Sequence, residues 1–155
     1  MKISTKGRYA LRLMMDIAVH SNGEMVALKD VARRQEISVK YLEQIVGLLS
    51  KAGFLRSSRG PQGGYRLSRR PEEYTVGEIL RLTEGNLAPV SCLEDEENQC
   101  SRCRQCGTLD FWTGLYRTVN SYIDRYTLAD LVRSEEQKKQ DGPAGGTETE
   151  RRSGI

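Results

Sequence analysis

Apolar residues along the first half of the chain recur at helical spacing in three separated runs. Tyr9, Leu13 and Ile17, with Ala10, Met14 and Ala18 beside them, predict a helix from Thr5, its capping residue, to about His20. Ser21-Asn22-Gly23 breaks this pattern, and a shorter run over about Leu28–Gln35 turns Leu28, Val31 and Ala32 inward. Ile37-Ser38 then turns the chain. Ser38 is placed to cap a third helix, and Gly53 to end it. That helix has one apolar stripe, Leu42, Ile45, Val46 and Leu49, while Lys40, Tyr41, Glu43, Gln44, Gly47 and Lys51 lie on the opposite face.

The period changes after Gly53. Leu55–Ser58 and Gly64–Leu67 read as two short strands around Arg59-Gly60-Pro61-Gln62-Gly63, a glycine-rich connection suited to a tight hairpin. Thr75-Val76-Gly77-Glu78 has capping-box spacing and predicts a helix to about Thr83. Residues 84–107 read as a loop. A long amphipathic helix follows from about Thr108 to Arg125, striped by Trp112, Leu115, Tyr116, Val119, Tyr122 and Ile123. Thr127 caps one more short helix through Leu131, and from Glu135 the composition turns polar, as in a disordered tail. The expected fold class is mostly α with a small β-hairpin wing. Its segments are a helix-turn-helix with its wing over 1–83, a sensor loop over 84–107, dimerisation helices over 108–134 and a tail over 135–155.

Charge adds a direction. The net charge of +3 divides unevenly: residues 1–70 hold 14 Lys and Arg against 5 Asp and Glu, and residues 71–155 hold 10 against 16. A basic half of that size is the electrostatic footprint of a phosphate binder. Two helices joined by a turn and followed by a basic hairpin make a winged helix-turn-helix. In that unit the second helix presents polar side chains to the major groove, and a thin wing tip carries Arg59 toward the minor groove. Lys2, Lys6, Arg8, Arg12, Lys40 and Lys51 are candidates for phosphate contacts. Glu43 repels phosphate, so it either accepts from a cytosine amino group or pairs with Lys40 or Lys51 on the helix surface. The first residues contain no apolar core of a secretory leader, and no run is long enough to span a membrane, so a cytoplasmic protein with reduced thiols is expected.

All four cysteines fall within residues 92–106, as Cys92-x7-Cys100-x2-Cys103-x2-Cys106. Such a unit admits three readings: thiolate ligands of an iron–sulfur cluster, a zinc site, or a disulfide switch using two of the four. No nucleophile–base pair, carboxylate dyad or phosphate-cradling loop accompanies them, so no enzyme is expected.

These motifs together resemble the Rrf-two family of bacterial transcription regulators, the winged helix-turn-helix proteins of the IscR kind. The likeness is carried by Lys2-Ile3-Ser4-Thr5-Lys6-Gly7-Arg8-Tyr9-Ala10, Ser38-Val39-Lys40-Tyr41-Leu42-Glu43-Gln44-Ile45, Arg59-Gly60-Pro61-Gln62-Gly63-Gly64-Tyr65, Val76-Gly77-Glu78-Ile79, the cysteine loop and Thr127-Leu128-Ala129-Asp130-Leu131. The resemblance implies a homodimeric repressor or activator on a near-palindromic double-stranded operator, with the long helix crossing its partner. It places Lys6, Arg8, Tyr9, Ser38, Lys40, Tyr41, Glu43, Gln44, Arg59 and Gly60 at the DNA. It also implies an iron–sulfur cluster, two-iron or four-iron, on Cys92, Cys100 and Cys106, with an apo form allowed. Gly107 and Thr108 stand where some cluster binders have a histidine, which leaves Cys103 as a fourth ligand or a spare thiol. A branch of the same family controls cysteine metabolism without a cluster, through a partner enzyme such as cysteine synthase or through a thiol switch, and is the alternative.

Overall fold

The computed structural model describes residues 2–142, and the last part of the expected tail, 143–155, lies outside the described residues. Six helices and one hairpin follow in order: α1 (Thr5–His20), α2 (Leu28–Gln35), α3 (Val39–Lys51), β1 (Leu55–Ser58), β2 (Gly64–Leu67), α4 (Val76–Glu84), α5 (Leu109–Arg125) and α6 (Leu128–Gln140). The mostly helical architecture with a two-stranded wing is the one the apolar pattern predicts.

Capping chemistry sets most boundaries. Ser4, not Thr5, caps α1, because its extended backbone lets its Oγ accept from Gly7 N–H at the third helical position. Ser38 caps α3 as expected, accepting from Tyr41 N–H at 3.2 Å. Thr75 and Thr127 open α4 and α6 with reciprocal capping boxes to Glu78 and Asp130. The last helix does not stop at Leu131. It continues to Gln140, so the segment from Glu135 that reads as polar tail begins as helix, supported by the Glu135–Lys139 pair one turn apart.

The core is built from α1, α2 and α3, with Leu13, Met14, Ile17, Leu42, Ile45 and Leu49 wholly excluded from solvent. Leu128 of α6 is buried in this same cluster, and Leu128 N–H donates to Tyr74 carbonyl at 2.9 Å. Within the segment 108–134 expected to be dimerisation helices, α6 therefore starts inside the core of the helix-turn-helix unit, whereas α5 buries no residue in it. A smaller cluster, Val76, Leu80 and Leu87, seats α4 against Tyr116 and Ile123 of α5.

One element escapes periodicity altogether. Val26 pairs with Tyr65 through two backbone hydrogen bonds of 2.8 and 2.9 Å, adding a one-residue third rung to the hairpin. The close approach explains Gly64: a Cβ there would collide with the Val26 carbonyl.

A buried carboxylate joins α1 to α2. The Asp16 side chain is wholly excluded from solvent and accepts from Arg34 Nε at 3.0 Å and from Gln35 Nε2 at 2.9 Å. Removing one partner of such a pair leaves the other desolvated and unmatched. Asp16→Ala is expected to lower stability by about 3 kcal/mol in urea unfolding. Asp30→Ala, which breaks a pair with Arg33 on the surface, should change it by less than about 1 kcal/mol.

Candidate nucleic-acid interface and thiol loop

The N-terminal turns of α1 and α3 meet through an aromatic contact. Tyr9 and Tyr41 pack edge to face with ring centroids 5.7 Å apart. Both are half-buried, so Tyr41, which the sequence places outward on α3, gives part of its ring to α1. Around this pair Lys6, Arg8, Ser38, Lys40, Glu43 and Gln44 are exposed. Arg12 is exposed too, but its guanidinium lies over Tyr9, and its Nε donates to Gln35 Oε1 at 3.0 Å. It is thereby committed to the helix-turn-helix itself. Glu43 has no ion-pair partner among the described residues, neither Lys40 nor Lys51, which leaves its carboxylate available outward.

The wing is an antiparallel hairpin in the register Leu55–Leu67, Arg56–Arg66, Ser57–Tyr65 and Ser58–Gly64. Arg59 and Gly60 are exposed at its tip, where Gly60 adopts φ +107° and its carbonyl accepts from Gly63 N–H at 2.9 Å. A left-handed residue at that point lets the connection turn within the width of the hairpin.

What aims the wing is Tyr74, a residue outside every motif. It is completely buried, yet its hydroxyl is fully satisfied: it donates to Phe54 carbonyl at 2.7 Å and accepts from Ser68 N–H at 3.0 Å and Arg69 N–H at 2.9 Å. Phe54 precedes β1, and Ser68 and Arg69 follow β2, so one oxygen fixes both ends of the hairpin. The Arg69 guanidinium covers the Tyr74 ring at 4.3 Å.

The thiol loop is entered through Gly85, a helix-ending glycine at φ +77°. Asn86 organises the next residues. Its Oδ1 accepts from Ala88 N–H at 2.7 Å and from the Tyr116 hydroxyl at 3.2 Å, which ties the loop to α5. All four cysteines are half-buried free thiols, Cys92 and Cys103 within short helical turns and Cys100 and Cys106 in the irregular segments between them and α5. Cys106 adjoins α5: its carbonyl accepts from Leu109 N–H at 3.2 Å. The Thr108 hydroxyl, 3.4 Å from Cys106 Sγ, and the Thr108 N–H hold this thiol below the usual range for cysteine. The donor set suits iron or zinc. No three Cys, His, Asp or Glu side chains among the described residues converge as a metal cage in this conformation.

Residues 3–134 match the family model described as Rrf2, iron-dependent transcriptional regulator. The chain belongs to the Rrf2 family. It is 42% identical over 134 residues to protein rrf2 of Nitratidesulfovibrio vulgaris, covering 86% of this chain and 88% of that protein. It is 38% identical over 132 residues to the transcriptional regulator IscR of Aliivibrio salmonicida, covering 85% and 77%. The solved structure of CymR, the global cysteine regulator of B. subtilis, superposes with a TM-score of 0.71 at 38% identity over 86% of this chain and 98% of that one. The protein is thus a DNA-binding transcription regulator with a winged helix-turn-helix, in a family of transcription regulators rather than enzymes. None of its described helices is long and apolar enough to cross a membrane.

Proposed function

We propose that this Rrf2 protein acts as a homodimer reading a near-palindromic duplex operator, under the control of an iron–sulfur cluster on the loop of residues 92–106. The observation that carries the proposal is the placement of the loop. It joins α4, which is packed on the DNA-binding unit, to α5, whose apolar side is only partly covered by α4.

No residue of the seventeen-residue α5 is buried, although Phe111 is aromatic and 65% exposed and Tyr122 is 54% exposed. An amphipathic helix whose apolar stripe is only half-buried calls for a partner, and a second copy of α5 provides an identical stripe. Two-fold pairing then presents two α3 helices to successive major grooves. On each, Lys40, Glu43 and Gln44 face base edges or phosphates with Tyr41 beside them, Lys6, Arg8, Tyr9 and Ser38 approach the backbone, and Arg59 with Gly60 enters the minor groove.

Cys92, Cys100 and Cys106 would hold the cluster, with Cys103 the remaining thiol of the loop. A bound cluster supplies ligation that is sensitive to oxygen and iron supply. The residues of the chain do the rest. The loop is already tied to α5 through Asn86 and Tyr116, so ligation of the thiols would act on α5 through that contact. At the other end Glu84, the last residue of α4, clamps the beginning of α1: its carboxylate accepts from Ser4 Oγ at 2.6 Å, Gly7 N–H at 2.9 Å and Ser4 N–H at 3.2 Å. A Cβ at Gly7 would push Glu84 Oε1 out of this clamp. Arg81 meanwhile donates to Asn120 Oδ1 at 2.9 Å and pairs with Asp124 on α5. A change in the loop thus reaches Lys6 and Arg8 through α4.

The equal likeness to CymR favours one second reading, in which no cluster binds and the signal comes from the thiols themselves or from a partner enzyme of the cysteine synthase kind.

Arg59→Ala is expected to weaken operator binding at least tenfold in a mobility-shift titration, while Glu43→Ala relaxes sequence preference more than it lowers affinity. Equal losses on operator and random duplex after Glu43→Ala would contradict base reading by that carboxylate. Protein purified without oxygen should show visible absorption with iron and sulfide bound, and the Cys92→Ala, Cys100→Ala and Cys106→Ala variants should be colourless. Colourless, metal-free wild-type protein that co-purifies with a cysteine-synthesising enzyme would replace the cluster reading with the second one.

A further inference from the structure

Arg59 leaves part of the wing's charge unexplained. The hairpin register sets Arg56 directly opposite Arg66. Side chains paired in this way start about 5 Å apart, and like charges so placed destabilise the hairpin that carries them. The two neighbouring arginines are committed, Arg69 to Glu78 and the Tyr74 ring, and Arg70 to Glu73. Arg56 and Arg66 have no such partner among the described residues. All four line one open groove of about 560 Å³, bounded on its other side by the turn Ser21-Asn22-Gly23, and no carboxylate is among its described lining.

We infer that Arg56 and Arg66 form a phosphate clamp that holds one sugar–phosphate strand of the duplex beside the minor groove entered by Arg59. The inference rests on the reading of the hairpin as a DNA wing and extends its footprint. Arg56 precedes Arg59 by three residues, about 10 Å of strand at about 3.3 Å per residue. The minor groove is only about 6 Å wide, so its phosphates flank an inserted tip within reach of long side chains further down the same hairpin. Guanidinium forks match phosphate oxygens in pairs, and a polyanion relieves the repulsion between the two arginines. An acidic peptide would need substantial apolar anchor sites as well as cations. The groove offers it Ala18, Pro71 and the edge of Leu67.

The test uses the full-length protein and a duplex of about 30 base pairs with a central A·T-rich tract, followed by fluorescence anisotropy between about 50 and 200 mM NaCl. Arg56→Gln and Arg66→Gln should each flatten the plot of log affinity against log salt by at least about 0.9, the increment for one phosphate contact, and the double variant by at least about 1.8. Arg56→Lys should keep the wild-type slope, and the glutamine variants should melt no lower than wild type, as removal of a repulsive pair requires. Unchanged slopes, with Arg59→Ala still weakening binding, would overturn the clamp and leave the wing reading standing. Unchanged slopes together with lost retention of the double variant on immobilised polyglutamate would overturn it in favour of an acidic polypeptide partner. Failure of wild-type protein to bind the duplex even at the lowest salt would overturn clamp and wing together.

Discussion

The hydroxyl of Tyr74 is the point on which the arrangement of the DNA-binding unit turns. A two-stranded hairpin is marginal by itself and has no intrinsic direction relative to the helices before it. Here a single buried oxygen receives two backbone N–H groups after β2 and donates to a backbone carbonyl before β1. Leaving those groups unmatched in the interior would cost about 1–3 kcal/mol each, so the satisfied geometry is strongly preferred over any other wing angle. The same residue's carbonyl receives Leu128 N–H, and its ring lies under Arg69. Wing, α4 and α6 are thereby referenced to one residue, and the distance between Arg59 and the α3 face is set by covalent and hydrogen-bonded structure. It is not left to solvent.

A second constraint couples this unit to the rest of the chain. Short helices cannot slide independently when their ends are clamped, and α4 is clamped at both ends of its surface. Glu84 holds the first turn of α1, while Arg81 and the Val76–Leu80–Leu87 cluster hold α5. The thiol loop begins directly after Glu84, and Cys106 lies three residues before the first residue of α5. The loop thus leaves α4 beside the Glu84 clamp on α1 and returns at the helix that Arg81 holds. That placement supports the proposal that the loop is a control element, whether a cluster or the thiols alone carry the signal.

Much of this was legible in the chain because it rests on local rules. Helical stripes, caps at Ser38, Thr75 and Thr127, and the glycines around Arg59 each dictate structure within a few residues, and they locate the helix-turn-helix and its wing. The misses share a different cause. The Val26 rung is one residue long, too short for any period to register. Tyr74, Glu84 and Asp16 act through partners 20, 80 and 18 residues away, and a lone polar side chain carries no sign of such a partner. The shift of the first cap from Thr5 to Ser4 is a choice between adjacent hydroxyls that Glu84 decides. The helix to Gln140 was hidden by its polar composition, since ion pairing one turn apart supports a helix without an apolar stripe. In the thiol loop, spacing revealed the donors, but not the contact of Asn86 with Tyr116, 30 residues away, that ties the loop's start to α5.

The account stands or falls on duplex reading by a fixed pair of elements, α3 and the wing. Selection of bound sequences from a random duplex pool by the full-length protein, followed by hydroxyl-radical footprinting of the winner, tests this directly. The account predicts a two-fold symmetric site, with major-groove half-sites spaced by whole turns of about 10 base pairs and protected A·T-rich minor-groove windows beside them. Enrichment of no sequence, or protection without two-fold symmetry and without minor-groove windows, would contradict it.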